Sequence, residues 1–235
     1  MKFLEYGLKD LNNMNLHHFY HIYADGQWQE PVSEHIKALR KWGLIDNLAS
    51  FKVGIVGADH NRTAVIQYLI NERINFDVIA QADTGWEQVT QIPMYNFALN
   101  NDGYVLYAHS KGSSSPEQPN KSWRRSMTYY NVGQWQTAVQ KLNEGFDAVG
   151  QHWMRPSHHS VEHRGSPFFG GTFWWTSFAH IRKMLAPPVF NRHDAEGWIG
   201  YVCGEDMKCF DFTGHISAHP CYSLWTPETQ QWIYE

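Results

Sequence analysis

Residues 104–112, YVLYAHSKG, decide the fold of this chain. The first five are apolar or aromatic and predict a buried strand. His109, Lys111 and Gly112 then lead into a polar loop. Because open α/β sheets bind ligands outside the carboxyl ends of their strands, the polar residues that leave this strand are placed for binding or chemistry.

The chain on either side of this stretch alternates between strand patterns and helix patterns. Strands are predicted at residues 18–23, 52–56, 77–80 and 147–150, and helices at 33–42, 63–71 and 88–99, with one long helix or two short ones over 122–145. This alternation predicts an α/β fold, a parallel or mixed sheet with helices on both faces. Beyond Gln151 the pattern gives way to clusters of His, Gly and aromatic residues.

Composition narrows the classes of function. The 235 residues, 43% of them hydrophobic, suffice for one large domain. A net charge of −4 provides no basic excess for a phosphate backbone and argues against nucleic acid as a partner. No apolar run approaches the length of a transmembrane segment, and the N-terminus lacks a leader pattern, so we expect a cytoplasmic protein. The spacing of Cys203, Cys209 and Cys221 fits neither a zinc ribbon nor a redox pair and favours reduced thiols.

Six short motifs follow one another along the chain. They are DTGWEQVT at 83–90, YVLYAHSKG at 104–112, WR at 123–124, FDAVG at 146–150, FGGTFWW at 169–175 and AEGWIG at 195–200. This succession resembles a family of bacterial and phage glycosyltransferases of the GT-A type, associated with capsular and O-antigen polysaccharide synthesis and more distantly similar to the rhamnan-synthesis F proteins. The resemblance covers roughly residues 20–200.

The resemblance implies a GT-A-like, Rossmann-like mixed sheet flanked by helices in a single domain over residues 1–235. A nucleotide-binding half would span about 15–115 and an acceptor-side half about 116–235. The implied activity is hexosyl transfer from a nucleotide-sugar donor, a UDP-sugar first, to a glycan or protein acceptor.

The strand end at His109 and Lys111 departs from the Asp-x-Asp motif that holds a metal ion in most GT-A enzymes. A lysine ammonium neutralises phosphate oxygens directly, so Lys111 is a candidate for the donor diphosphate, with His109 beside it. Arg124, next to Trp123 at a predicted helix start, suits phosphate recognition in the same way. The alternative for each is an ordinary structural histidine or solvent-exposed cation.

Further candidates for the donor follow the earlier strands. Asp25, Gly57 and Asp59 are placed to meet the base and ribose, as carboxylates do in Rossmann-like sheets. Asp83 and Glu87 belong to the same group of donor-binding residues. The sequence does not say which carboxylate contacts the ribose.

A divalent metal ion, Mn²⁺ or Mg²⁺, is a second way to hold the diphosphate. The candidate ligands are Asp83, Glu87, His109 and a C-terminal histidine, His215 or His219. Carboxylate and imidazole groups are common metal ligands.

Glycosyl transfer also needs a base for the acceptor hydroxyl. Glu196 is the first candidate, because residues 192–199, RHDAEGWI, match the Arg-x-x-Ala-Glu-x-Trp-Ile pattern of the resembling family. Glu205 and Asp206 form a Glu-Asp element of the kind that supplies the base in many inverting GT-A enzymes. Either acid could instead satisfy backbone donors at a helix start.

An aromatic segment completes the predicted site. Two glycines allow close approach of a ligand, and rings beside them would form a wall for the apolar face of a sugar. The predicted sugar and acceptor pocket contains Gly170, Gly171, Trp174, Trp175 and Trp198. The alternative is a buried strand with a bulge at the glycines.

Two other functions compete with transfer. A non-catalytic carbohydrate-binding or assembly protein would keep the aromatic pocket without the chemistry. A nucleotide-dependent oxidoreductase would use Gly54 and Gly57, but their spacing lacks the three-glycine fingerprint.

Overall fold

The computed structural model of the protein describes residues 15–154, 166–201 and 206–214. The strands are β1 Leu16–Tyr23, β2 Leu48–Val56, β3 Asp77–Ala82, β4 Tyr104–His109, β5 Ala148–Gly150, β6 Trp153–Met154, β7 Phe168–Phe169, β8 Trp174–Ser177 and β9 Cys209–Asp211. The α-helices are α1 Gln29–Lys41, α2 Asp59–Asn71, α3 Gln88–Ala98, α4 Gln118–Thr128, α5 Trp135–Asn143, α6 Phe178–Ile181 and α7 His193–Gly197.

Seven of the strands form one mixed sheet in the order β3-β2-β1-β4-β8-β5-β9. Neighbouring strands from β3 to β4 are parallel, whereas β8 runs antiparallel to both β4 and β5. β6 and β7 pair separately as a short antiparallel ribbon. The predicted mixed α/β sheet flanked by helices is therefore confirmed.

Two hydrophobic cores lie on opposite faces of the sheet, because successive side chains of a strand point to opposite sides. In β1, Tyr20 and Ile22 pack in the first core, and Phe19 packs in the second. Helices α1, α2 and α5 cover the first face, and α3 and α6 cover the second. Among the helices that the structure describes, none is long and apolar enough to cross a membrane.

The segment predicted as one long helix or two short ones contains two helices, α4 and α5, joined by a π-helical turn at Tyr129–Gly133. A tertiary hydrogen bond accompanies this turn, since the Trp175 indole donates to the carbonyl oxygen of Asn131 over 2.7 Å. Helix α4 begins at Gln118, more than one turn before the start predicted from the sequence.

Candidate functional site

A cavity of about 640 Å³ opens at the carboxyl edge of the parallel strands. β1 and β4 are neighbours, but the chain passes from β1 to β2 and β3 before it returns to β4. Such a change of direction leaves a crevice beyond the strand ends, which is where open α/β sheets bind ligands. The cavity is lined by Tyr23 at the end of β1 and Asp25 after it, by residues 83–87 after β3, by residues 109–115 at the end of β4, and by His21, Val56, Asn120 and Arg192.

Two histidines on adjacent strands form the floor of the cavity. His21 and His109 are paired in the register of β1 and β4. The His109 Nε2–H donates to the carbonyl oxygen of Gly171 over 2.9 Å, and its Nδ1 lies 3.8 Å from a carboxylate oxygen of Glu87. Burial lowers the pKa of both imidazoles to about 4, with the Lys111 charge as a further cause for His109. Both rings are therefore neutral at pH 7.

Lys111 projects from a tight polar turn that follows β4. The turn is attached to β1, because Ser110 N donates to His21 O over 2.8 Å and Ser110 Oγ accepts from Tyr23 N over 2.9 Å. Ser113 O accepts from Gln27 N over 2.8 Å. The Lys111 ammonium lies 4.1 Å from the centre of a Trp123 ring. These hydrogen bonds join the turn to the end of β1 and to the loop that follows it, and they fix the position of Lys111 on the cavity wall.

Arg124 lies beneath this turn and not on the cavity wall. Its guanidinium is buried, donates through Nε and Nη2 to Glu34 over 3.1 and 2.8 Å, and donates through Nη1 to Lys111 O over 3.0 Å. Arg125 binds the other carboxylate oxygen of Glu34 over 2.6 Å. We call Glu34, Arg124 and Arg125 the buried charge cluster. The expectation that Arg124 contacts phosphate at a helix start is corrected, since it supports the Lys111 turn from within.

Asp25 approaches the start of α2. Its Oδ1 accepts from Ala58 N over 2.6 Å and from Asn61 Nδ2 over 2.9 Å, and these bonds lower its pKa. Gly57 permits this approach: its φ is +142°, and a Cβ there would lie 2.6 Å from Asp25 Oδ1. Asp25 lines the cavity, whereas Gly57 shapes the loop behind it.

Arg62 forms ion pairs with two further aspartates that were predicted to bind the donor. Its guanidinium pairs with Asp83 over 2.5 Å and with Asp59 over 3.1 Å, and both carboxylates are largely exposed. Of these, Asp83 is on the cavity wall and Asp59 is outside it. The glycine at position 54 packs beneath Thr90, where a Cβ would lie 2.1 Å from the hydroxyl oxygen.

Glu196 lies behind Arg192, which, like Asn120, is a residue of the acceptor-side half on the cavity wall. A Glu196 oxygen is 3.8 Å from Arg192 Nη2, and its side chain is 17% exposed. Its negative charge also acts on His109, whose pKa burial lowers and the Glu196 charge partly raises. Asp206 is exposed and outside the cavity wall, and Glu205 lies outside the described residues.

The three tryptophans predicted for the sugar pocket belong to the cores. The indoles of Trp174, Trp175 and Trp198 are all 0% exposed. Trp198 Nε1 donates to Leu185 O over 2.9 Å. The expectation that these rings form a sugar-binding wall is corrected, because stacking on a ligand requires a face that is not already packed.

The two adjacent glycines, Gly170 and Gly171, allow helix α4 and not a ligand to approach this segment. Gly171 has a φ of +85°, and a Cβ there would lie 2.3 Å from Met127 Sδ. Gly170 N donates to His152 O over 2.9 Å. The segment therefore packs on α4 and delivers the Gly171 carbonyl to His109.

The predicted metal ligands do not converge in the described part of the chain. No three His, Cys, Asp or Glu side chains there are close enough together to hold a metal ion. His215 and His219 lie outside the described residues. Residues 15–154, 166–201 and 206–214 thus contain no such metal site, and the metal ion stays a prediction.

The cavity wall also contains residues that the sequence did not single out for binding, notably Tyr23, Trp86, Asn120 and Arg192. Trp86 lies in one of the motifs quoted above, DTGWEQVT, and Arg192 opens another. A motif does not reveal which way a ring faces, so the sequence offered no signal that Trp86 is exposed.

A family model described as "Domain of unknown function (DUF8361)" matches residues 19–234. None of the curated proteins matches the sequence. The chain is similar in structure to a 4-diphosphocytidyl-2C-methyl-D-erythritol synthase from Anaerococcus prevotii DSM 20548, with 9% identity, 94% of this chain and 96% of that chain covered, and a TM-score of 0.46. It is also similar to a cytidylyltransferase from Leptospira borgpetersenii serovar Hardjo-bovis (strain JB197), with 8% identity, 87% and 78% covered, and a TM-score of 0.49. These structural similarities are too distant to assign an activity to this chain.

Proposed function

The chain belongs to the DUF8361 family, and we propose that it is a glycosyltransferase that moves a sugar from a nucleotide diphosphate donor, a UDP-sugar first, to a hydroxyl group of a glycan or protein acceptor. The observation that carries the proposal is the cavity beyond β1 and β4, whose wall combines the Lys111 turn with carboxylates and neutral histidines. The described residues place this combination at the switch point of the sheet, where nucleotide ligands are bound in open α/β folds.

The Lys111 turn supports the binding of a diphosphate. Loss of the sugar leaves negative charge on the departing diphosphate, and a fixed ammonium stabilises that charge as it develops. The hydrogen bond from Tyr23 N to Ser110 Oγ and the one from Arg124 to Lys111 O hold the turn in place before a ligand arrives. In this proposal Lys111 supplies the positive charge.

The transfer step requires a carboxylate near the acceptor. The acceptor oxygen bonds to the anomeric carbon, the bond from that carbon to the phosphate oxygen breaks, and its electron pair leaves on the diphosphate. The hydroxyl proton passes to a carboxylate, and we assign this role to Glu196. Glu87, whose carboxylate is on the cavity wall, competes for it, as do Glu205 and Asp206.

Nucleotide binding tests the proposal directly. Calorimetric titration of the full chain with UDP, CDP, GDP, TDP and their sugars, with and without Mn²⁺, is expected to show saturable heat for at least one nucleotide. Absence of heat and of any thermal shift with all of them would end the transferase hypothesis. Binding of glycans without nucleotides would indicate the carbohydrate-binding alternative.

Glu196→Gln separates binding from chemistry. Removal of a general base lowers turnover by about 10²- to 10⁴-fold, so we expect the loss of transfer with the Kd of the nucleotide unchanged within about two-fold. Release of UDP from the cognate UDP-sugar measures turnover, and Glu144→Gln, at an exposed position directly after α5, is the control. Retained turnover would move the base to Glu87, Glu205 or Asp206.

A further inference from the structure

Trp86 is a large aromatic side chain on the cavity wall that remains 47% exposed. Single exposed apolar side chains are common and need no explanation. The other large ones in the described residues, such as Ile70 and Leu99, are outside the cavity wall. Trp86 differs in that a ligand entering the cavity would meet its ring.

The ring is mounted on a well-anchored turn at the start of α3. Trp86 O accepts from Val89 N over 3.0 Å, which closes a four-residue turn that leads into α3. Gln88, two residues on, donates through Nε2 to Pro188 O over 3.2 Å and to Asn191 O over 2.8 Å. An aromatic ring with two side-chain torsions on a fixed backbone loses little conformational entropy on binding.

The loop that carries Trp86 borders one side of the cavity. It leaves β3, whereas the Lys111 turn follows β4. At the far end of the loop, Glu87 comes within 3.8 Å of His109 on β4. The cavity thus has an exposed aromatic face on one wall and a cationic turn on another.

We propose that Trp86 is the stacking platform for the base of the bound nucleotide. This inference rests on the proposed function and names the ligand group that Trp86 recognises. A nucleoside diphosphate presents a flat base at one end and an anionic diphosphate at the other, which matches the ring of Trp86 and the ammonium of Lys111. Trp174, Trp175 and Trp198 are fully buried and do not offer a second indole face to the cavity.

Two variants and two ligands test the assignment. Trp86→Ala is expected to weaken UDP binding about ten-fold, within the range measured for base–aromatic stacking, whereas Trp86→Phe retains affinity within about three-fold because it retains a ring. Pyrophosphate, which has no base, is expected to bind wild type and Trp86→Ala equally. Leu99→Ala is the matched control, because Leu99 is 46% exposed at the opposite end of α3.

The outcomes separate the inference from the proposed function. If wild type binds UDP and Trp86→Ala binds it equally well, or loses UDP and pyrophosphate to the same extent, the stacking role is overturned while the nucleotide site stands. If Trp86→Ala loses affinity for the UDP-sugar but not for UDP, the ring contacts the sugar and the assignment to the base is wrong. If wild type binds no nucleotide, both fall together.

Discussion

Two groups of charged or titratable residues lie near the turn at residues 110–115. Their residue types are similar, but one group is buried in ion pairs and the other lines the cavity. The buried charge cluster pairs Glu34 with Arg124 and Arg125 inside the protein. In the other group, Glu87, His109 and Lys111 line the cavity. The comparison shows that the type of residue does not decide between structure and function. What decides is whether the group faces another part of the chain or the space for a ligand.

The two groups are also coupled. Arg124 donates to the carbonyl oxygen of Lys111, so the cluster supports the backbone of a residue on the cavity wall. Buried charges of this kind are costly to desolvate, and loss of one partner leaves the other uncompensated. We therefore expect the cluster to govern stability and the cavity group to govern ligand binding.

Acidification is expected to have the largest effect on stability, and it acts on the two histidines of the cavity. The pKa values of His21 and His109 are lowered by burial from 6.5 to about 4. The unfolded chain therefore binds protons between pH 6.5 and 4 that the folded chain does not, and the free energy of unfolding falls as the pH falls. By pH 5 the loss is about 2 kcal/mol for each histidine. His17 and His18 add to this loss, because burial also lowers the pKa of each to about 4. Urea unfolding at pH 7, 6 and 5 measures the sum, and an unchanged free energy of unfolding over this window would contradict the buried neutral histidines.

Glu34→Gln breaks the buried charge cluster. It leaves Arg124 and Arg125 buried without their common carboxylate, and we expect a loss of about 3 kcal/mol in the free energy of unfolding. Thermal denaturation followed by circular dichroism would show a drop of roughly 10 °C in the midpoint. UDP binding is expected to weaken as well, because Arg124 no longer fixes the Lys111 turn.

Glu30→Gln is the matched control for this change. Glu30 lies one turn earlier on α1 and is 3.6 to 3.8 Å from the same two arginines, but its side chain is 48% exposed. Exposed ion pairs contribute only about 0 to 1 kcal/mol. Equal effects of the two substitutions would show that burial does not distinguish the cluster.

Lys111→Ala is expected to change stability little, and it tests whether the cavity group governs ligand binding. The side chain is on the cavity wall, and its removal is expected to alter the free energy of unfolding by less than about 1 kcal/mol, the scale of an exposed cation–π contact. The Kd for UDP is expected to rise about ten-fold, since a charged hydrogen bond contributes about 1.5 to 3 kcal/mol. Calorimetric titration gives the affinity. A large loss of stability with unchanged affinity would make Lys111 a structural residue.

Most of the N-terminal half of the fold was predictable because its signals are local. The strands ending near Tyr23, Val56 and His109 and the helices between them follow from apolar periodicity and turn residues. The second half was less predictable, since β8 is four residues long, runs antiparallel and begins with two core tryptophans that are equally typical of a binding wall. Short strands carry too little periodicity to reveal their direction or their neighbours.

The sequence by itself determined that the chain is an α/β protein and that polar residues collect at the end of β4, because periodicity and turn chemistry depend on neighbouring residues. Only the tertiary structure decided which of those residues face the cavity. The Arg124–Glu34 pair joins positions 90 residues apart, and the His109–Gly171 hydrogen bond spans 62. Such contacts depend on how the helices pack on the sheet, and that packing assigned Arg124 to the interior and Trp86 to the cavity wall.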